Sequence, residues 1–205
     1  MKLFSKLHQT NASNQPIIIV SGMPRSGTSM MMRMLAEGGL PTLTDELRRP
    51  DDDNPNGYFE LEVVRQLKEG NFAWLNEANG KVVKVISALL EHLPEDHQYK
   101  IIFMERNPKE TLASQKKMLD HRGQISKLSD EEMEQQFHRH LAAMKPWLVR
   151  QPNMEVLYVN YNALVTEPQS ACERIAEFLD LPLNQSQMLA VPDTQLYRNR
   201  ISSEK

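Results

Sequence analysis

The stretch Ile17-Ile18-Ile19-Val20-Ser21-Gly22-Met23-Pro24-Arg25-Ser26-Gly27-Thr28-Ser29 decides the fold of this chain. An apolar, β-branched run leads into a short loop bounded by Gly22 and Gly27, and a helix-prone segment follows at 30–37. The backbone N–H groups of such a loop and the positive end of the next helix converge on one anionic group, which the glycines allow to come close. The sequence therefore predicts a phosphate-binding loop between a strand and a helix.

The spacing of this loop matches the common phosphate-binding pattern G-x-x-x-x-G-K-[ST] except at one position. Thr28 stands where that pattern has its lysine, and the nearest cation is Arg25, inside the loop. We therefore expect the chain to bind a phosphate group, but not in the manner of an ordinary ATPase.

Composition limits the classes of protein to which the chain can belong. Its 205 residues predict one domain at 16–205, preceded by a flexible arm at 1–15. The net charge of -3 argues against a general nucleic-acid binder. The sequence has neither the apolar core of a signal peptide nor an apolar run long enough to span a membrane, which predicts a soluble cytoplasmic protein. The single cysteine, Cys172, excludes an internal disulfide.

Strand-like runs alternate with helical patterns along most of the chain. This alternation predicts a three-layer α/β fold of the P-loop-like kind, with a central, mainly parallel sheet flanked by helices. Strands are predicted at 17–20, 81–86, 100–104 and 154–159, with a weaker one at 40–44. Helices are predicted at 28–37, 60–69, 108–119, 130–150 and 168–179.

A second junction of strand and helix lies at Arg106-Asn107-Pro108, directly after the strand at 100–104. Asn107 suits a helix N-cap, Pro108 suits the first helical position, and Glu110 suits a capping box. Arg106 is thereby placed at the carboxyl end of a strand, the edge at which open α/β sheets bind their ligands. Its guanidinium is able to hold a second phosphate group through paired hydrogen bonds.

Three segments, in this order, resemble the sulfotransferase family, enzymes that move a sulfuryl group from 3′-phosphoadenosine 5′-phosphosulfate to an acceptor. The segment at 24–29 resembles the family's 5′-phosphosulfate loop, in which Lys or Arg precedes Ser-Gly-Thr. Arg106, with Ser114 eight residues later, resembles its 3′-phosphate motif. The segment at 159–168, with Tyr161, is similar to the family's late strand and tyrosine-containing turn. Together these segments span most of the chain.

The resemblance implies a nucleotide co-substrate and no metal, because the sulfuryl donor carries no γ-phosphate with bound Mg²⁺. In agreement, no predicted strand ends in the Asp of a Walker B motif. The residues that the resemblance assigns to the nucleotide are Arg25, Ser26, Gly27, Thr28, Ser29, Arg106, Ser114 and Tyr161.

The acceptor side requires a base near the acceptor and positive charge where the leaving phosphate becomes more negative. Arg25 and Lys84 are predicted to provide the charge, since the family's cytosolic branch has a lysine in a similar strand. That branch has a histidine two residues after this lysine, where the present chain has Ile86. Other branches use a glutamate after the first helix, which makes Glu46 the first candidate for the base and Glu60 the second.

Two other functions stay open at this point, a P-loop kinase or nucleotide hydrolase and a non-catalytic nucleotide-binding module. The resemblance implies an acceptor with a hydroxyl or amine group, either a small molecule, a glycan or a peptide, and the sequence does not disclose which one. His138 and His140 lie two residues apart in a predicted helix and point to different faces, so a shared metal ion is not expected. The basic tail with Arg198 and Arg200 is predicted to be solvated.

Overall fold

The computed structural model describes residues 15–45, 47–51, 54, 57–121, 123–124 and 128–193. The predicted N-terminal arm, apart from its last residue, lies outside the described residues, as do Arg198 and Arg200.

The described residues form a sheet of four parallel strands in the order β2-β1-β3-β4. The strands are β1 (Ile17–Gly22), β2 (Val82–Lys84), β3 (Tyr99–Glu105) and β4 (Met154–Asn160). The prediction of an α/β fold with a parallel sheet is confirmed. Because parallel strands end at the same edge of a sheet, the segments that follow the four strands meet at its carboxyl edge.

Helices surround the sheet, and most of them begin and end near the predicted positions. The α-helices are α1 (Thr28–Glu37), α2 (Pro108–His121), α3 (Asp130–Val149), α4 (Tyr161–Thr166), α5 (Pro168–Leu179) and α6 (Gln185–Leu189). Three 3₁₀ helices lie at Glu62–Glu69, Ala73–Glu77 and Ser87–His92. The short helices α4 and α6 were not predicted, because each is too short for a clear apolar period.

Two predicted elements are wrong in type. The α-helix predicted at 60–69 is the 3₁₀ helix at Glu62–Glu69, whose buried residues Val64 and Leu67 are three apart and so fall on one side of a three-residue turn. The weak strand predicted at 40–44 is reduced to a single bridge between Thr42 and Val82. Pro41 lacks an N–H group and therefore cannot extend the ladder of hydrogen bonds.

The alternation of side chains along β1 divides the hydrophobic core into two parts. Ile17 and Ile19 pack on the face covered by α3 and the 3₁₀ helices. Ile18 and Val20 pack on the opposite face, against α1, α4 and α5. Both faces of the sheet are thus covered, as a parallel sheet requires. Within the described ranges, no helix combines the length and the apolar character that a membrane crossing needs.

Candidate functional site

The loop between β1 and α1 has the backbone geometry that its glycines predict. Gly22 and Gly27 have φ angles of 148° and 100°. A Cβ atom on Gly22 would lie 2.5 Å from the hydroxyl of Ser26, and one on Gly27 would lie 2.3 Å from the ring of Tyr161. Neither position has room for a side chain. Arg25 also has a positive φ, 68°, and such strained residues concentrate at ligand sites.

Polar groups inside this loop match an anionic ligand. The hydroxyl of Ser26 is 1% exposed and has no hydrogen-bond partner among the described residues, whereas buried polar groups normally have one. Helix α1 begins at Thr28 without a side-chain cap, and the N–H groups of a first helical turn have no partner within the helix. A phosphate or sulfate group in the loop would accept hydrogen bonds from both sources. These residues therefore fit the predicted 5′-phosphosulfate.

The second predicted anion site has the buried guanidinium of Arg106 at its centre. Its Nε donates to Glu110 over 3.2 Å, and the side chains of the two residues are only 7% and 2% exposed. Asn162, in α4, donates to both carboxylate oxygens of Glu110 over 3.1 and 3.2 Å. Glu110, predicted for the capping box, thus accepts hydrogen bonds from Arg106 and Asn162. A guanidinium has five N–H donors and can hold Glu110 and an anionic ligand together.

The structure joins the two predicted anion sites. Arg25, from the loop, donates through Nε to the hydroxyl of Ser114 over 3.0 Å. Nη1 of Arg106 donates to the carbonyl oxygen of Arg25 over 3.3 Å. The guanidinium carbon of Arg106 lies 4.4 Å from the centre of the Tyr161 ring, a cation–π contact. Four of the residues predicted for the nucleotide, from three separate segments of the chain, are therefore linked by a series of contacts.

Lys84 reaches the loop from the other side, where β2 ends. Its Nζ donates to the hydroxyl of Ser29 over 3.0 Å and to the carbonyl oxygen of Tyr58 over 2.6 Å. Burial lowers the pKa of this amine to about 8, although the nearby carboxylate of Glu60 acts in the opposite direction. Lys84 is thus a largely buried amine beside the predicted donor site, and its role toward the leaving group stays a prediction.

Glu60 is surrounded by cations. Its carboxylate lies 3.0 Å from Arg48, 3.3 Å from Arg65 and 3.8 Å from Lys84. This arrangement fixes the position of Lys84 and leaves the prediction of Glu60 as the base untested. The first candidate for the base, Glu46, lies outside the described residues.

The segment around residue 58 covers the start of α1. The amide of Asn54 donates to the hydroxyl of Ser29 over 3.0 Å. The hydroxyl of Tyr58 donates to the carboxylate of Asp51, over 2.6 and 2.8 Å to its two oxygens. The guanidinium carbon of Arg48 lies 3.3 Å from the centre of the Tyr58 ring. No local sequence pattern indicated that this segment lies on the loop.

A cleft of about 670 Å³ opens at the carboxyl edge between the loop, β3, β4 and α3. Its walls include Met23 and Ser26 from the loop, Arg106 from the second anion site, and Phe137 and Leu141 from α3. The cleft therefore connects both predicted anion sites with a partly apolar wall. Among the described residues, no group of three or more His, Cys, Asp or Glu side chains is arranged to hold a metal ion.

Comparisons with known proteins identify the family of the chain and structures with a similar fold. The family profile of the sulfotransferase domain matches residues 15–199. The fold is similar to that of the sulfotransferase domain of the Synechococcus PCC 7002 olefin synthase, with 15% identity and a TM-score of 0.55 over 100% of this chain and 94% of that one. It is also similar to mouse sulfotransferase SULT7A1 complexed with PAP, with 18% identity and a TM-score of 0.59 over 94% of this chain and 70% of that one.

A comparison with curated protein sequences gave no significant match. The profile nevertheless covers most of the chain, and it includes both segments that are predicted to bind phosphate as well as Lys84 and Tyr161. The protein therefore belongs to the sulfotransferase family.

Proposed function

We propose that the protein transfers the sulfuryl group of 3′-phosphoadenosine 5′-phosphosulfate to a hydroxyl or amine of a small-molecule, glycan or peptide acceptor. In this proposal the segment at 25–29 holds the 5′-phosphosulfate, and Arg106 with Ser114 holds the 3′-phosphate beside Tyr161. The observation that carries the proposal is the 3.0 Å hydrogen bond from Arg25 to Ser114. It supports two proposed anion sites that lie side by side, which a nucleotide with phosphate groups at both ends of its ribose would occupy together.

The reaction breaks the bond between sulfur and the bridging oxygen of the 5′-phosphate, and the electron pair stays on that oxygen. The acceptor oxygen or nitrogen forms the new bond to sulfur and loses a proton. Positive charge near the bridging oxygen stabilises the leaving phosphate, and we assign this task to Arg25 and Lys84. The assignment of the base to Glu46 or Glu60 stays a prediction, while the contacts of Glu60 also support a role in orienting Lys84.

Titration calorimetry with 3′-phosphoadenosine 5′-phosphate, the product nucleotide, tests the proposal. This nucleotide should bind equally well with Mg²⁺ and with a chelator, because the residues assigned to it are cations, hydroxyls and backbone N–H groups. It should bind roughly tenfold to a hundredfold more tightly than 5′-AMP, because the 3′-phosphate gains a charged hydrogen-bond partner. Equal affinity for the two nucleotides would refute the two-site assignment.

The two alternative functions predict other outcomes. A P-loop kinase or nucleotide hydrolase would turn over ATP in a Mg²⁺-dependent manner. A non-catalytic module would bind 3′-phosphoadenosine 5′-phosphate and leave the sulfuryl donor intact with every acceptor.

The proposal also includes a cytoplasmic location, for which the single, buried Cys172 is suited because it forms no disulfide framework.

A further inference from the structure

The order of the strands gives the bound donor a direction. The inference that follows rests on the proposed function. Arg106 and Ser114 lie after β3, the phosphate-binding loop lies after β1, and Lys84 ends β2. Because the order is β2-β1-β3, a donor with its 3′-phosphate at Arg106 and its 5′-phosphate in the loop directs its sulfuryl end towards β2. The groups that receive the acceptor's proton are therefore to be sought where β2 ends.

The chain continues past the end of β2 beside β1. The N–H group of Val85 donates to the carbonyl oxygen of Val20 over 3.0 Å, so the strand-like pairing extends past Lys84. Two residues later the hydroxyl of Ser87 lies 3.5 Å from the sulfur of Met23, in the phosphate-binding loop. Ser87 is thus adjacent to the loop on the side where the sulfuryl group is expected.

Ser87 has a second partner, which comes from a distant helix. The oxygen Oγ of Ser87 lies 2.8 Å from Nε2 of His140 in α3, a residue 53 positions later in the chain. Burial lowers the pKa of His140, and the charge of Glu91, from the same 3₁₀ helix as Ser87, acts in the opposite direction. A lowered pKa keeps the imidazole neutral near pH 7, which is the form that accepts a proton.

We propose that Ser87 and His140 form the proton-accepting pair of this sulfotransferase. In the transfer step the acceptor oxygen attacks sulfur while its proton passes to Oγ of Ser87, and the proton of Ser87 passes to Nε2 of His140. The bond between sulfur and the bridging oxygen breaks, and the electron pair leaves on the 5′-phosphate. The resulting imidazolium then releases its proton to water, with which His140 is in partial contact.

Met23 has a defined part in this proposal. Ser87 is only 1% exposed, and the Met23 side chain both contacts its hydroxyl and lines the 670 Å³ cleft. A thioether is a weak hydrogen-bond acceptor on a flexible side chain. The single proton of the Ser87 hydroxyl serves one acceptor at a time, and in the working state it is donated to His140. The acceptor's hydroxyl then takes the place of the Met23 sulfur.

The first experiment follows the imidazole of His140 by proton NMR, without any acceptor. Its signals are assigned by loss in the His140→Gln variant, and its pKa is measured with and without 3′-phosphoadenosine 5′-phosphate. The bound 5′-phosphate should raise this pKa by about 0.5 or more, since a nearby anion favours the imidazolium. His97, before the amino end of β3, is the matched control and should not respond. If the nucleotide binds but shifts the pKa of His140 no more than that of His97, this proposal is overturned and the proposed function is left intact. If the nucleotide does not bind, both are overturned.

The second experiment measures release of 3′-phosphoadenosine 5′-phosphate from the sulfuryl donor, with water and with a panel of aliphatic alcohols and phenols as acceptors. His140→Gln and Ser87→Ala should bind the product nucleotide within about twofold of the original protein and react about 100-fold or more slowly with an aliphatic alcohol. The reaction with ionised 4-nitrophenol needs no base, so the two variants should lose much less of their rate with this acceptor. The reaction rate with an alcohol should rise with pH. The midpoint of this rise should lie below the ordinary pKa of histidine, and the rise should be absent in His140→Gln. Any of three results would overturn the proposal. These are full activity of His140→Gln with alcohols, a loss of activity that is confined to Glu60→Gln, and no turnover by the original protein although it binds the nucleotide.

Discussion

Lys84 carries its amine at the end of β2 with 8% of its side chain exposed, and this burial makes the stability of the protein depend on pH. In the folded protein the pKa of Lys84 is about 8, compared with 10.5 for a free side chain. Between these two values the unfolded chain binds the proton and the folded protein does not. The free energy of unfolding should therefore rise with pH across this window, and the penalty for holding the buried charge is fully present below pH 8.

The size of this effect follows from the two pKa values. Each pKa unit corresponds to roughly 1.4 kcal/mol, so Lys84 should lower stability at neutral pH by about 3 kcal/mol relative to strongly alkaline pH. The carboxylate of Glu60, 3.8 Å from Nζ, limits the penalty, because burial alone would lower the pKa further. Glu60→Gln should therefore lower the pKa of Lys84 below 8 and move the start of the rise to lower pH.

Urea unfolding at a series of pH values measures the contribution of Lys84 to the free energy of unfolding, and Lys84→Met is the variant that lacks this contribution. The difference between the two proteins should change with a slope of about 1.4 kcal/mol per pH unit between pH 8 and 10.5. Lys68→Met, at an exposed position, is the control and should follow the original protein. Saturating 3′-phosphoadenosine 5′-phosphate should reduce the slope, since an anion beside Lys84 raises its pKa again. Parallel curves for Lys84→Met and the original protein would refute the reasoning.

Three further predictions concern the nucleotide site. In a Glu110→Gln background, which avoids an unpaired buried carboxylate, Arg106→Met should weaken binding of 3′-phosphoadenosine 5′-phosphate by about 1.5 to 3 kcal/mol and leave that of 5′-AMP nearly unchanged, as measured by calorimetry. Ser26→Ala removes a buried hydroxyl without a partner among the described residues, so the melting temperature should be equal or higher while nucleotide affinity falls about tenfold; a large loss of stability would contradict this account. Gly27→Ala places a Cβ 2.3 Å from the Tyr161 ring at a φ of 100° and should lower the free energy of urea unfolding by about 1 to 3 kcal/mol, of which Tyr161→Ala should restore the part due to the clash.

The elements that could be predicted from the sequence are those whose causes are local. The apolar run of β1, the glycines at 22 and 27, and the junction at Arg106-Asn107-Pro108 each specify a strand end or a helix start within a few residues. Parallel strands end at a common edge, and the proximity of the loop to Arg106 follows from this edge. The α-helix predicted at 60–69 is wrong because the apolar spacing there suits a 3₁₀ helix as well.

The contacts that were missed join residues far apart in sequence. Glu110 and Asn162 are 52 positions apart, and Ser87 and His140 are 53 positions apart. No periodicity or motif indicates such pairs, because they depend on how helices pack over the sheet. The sequence presents His140 only as a candidate metal ligand together with His138, since it shows the helix that carries His140 but not that this helix places His140 opposite Ser87.

The position of the cations suits the proposed binding of a phosphate by a loop that lacks the lysine of an ordinary phosphate-binding loop. Thr28 occupies the position of that lysine and is 7% exposed. The positive charges come from three other positions: Arg25 in the loop, Arg106 at the end of β3 and Lys84 at the end of β2. Arg106 and Lys84 are held beside the loop only when β3 and β2 are paired with β1. On the proposed function, the affinity for the nucleotide should therefore depend on the whole sheet, and the loop sequence alone should not be sufficient for it. The same strand order would then direct the 3′-phosphate to β3 and the acceptor to β2, so that one arrangement of strands would serve both halves of the proposed reaction.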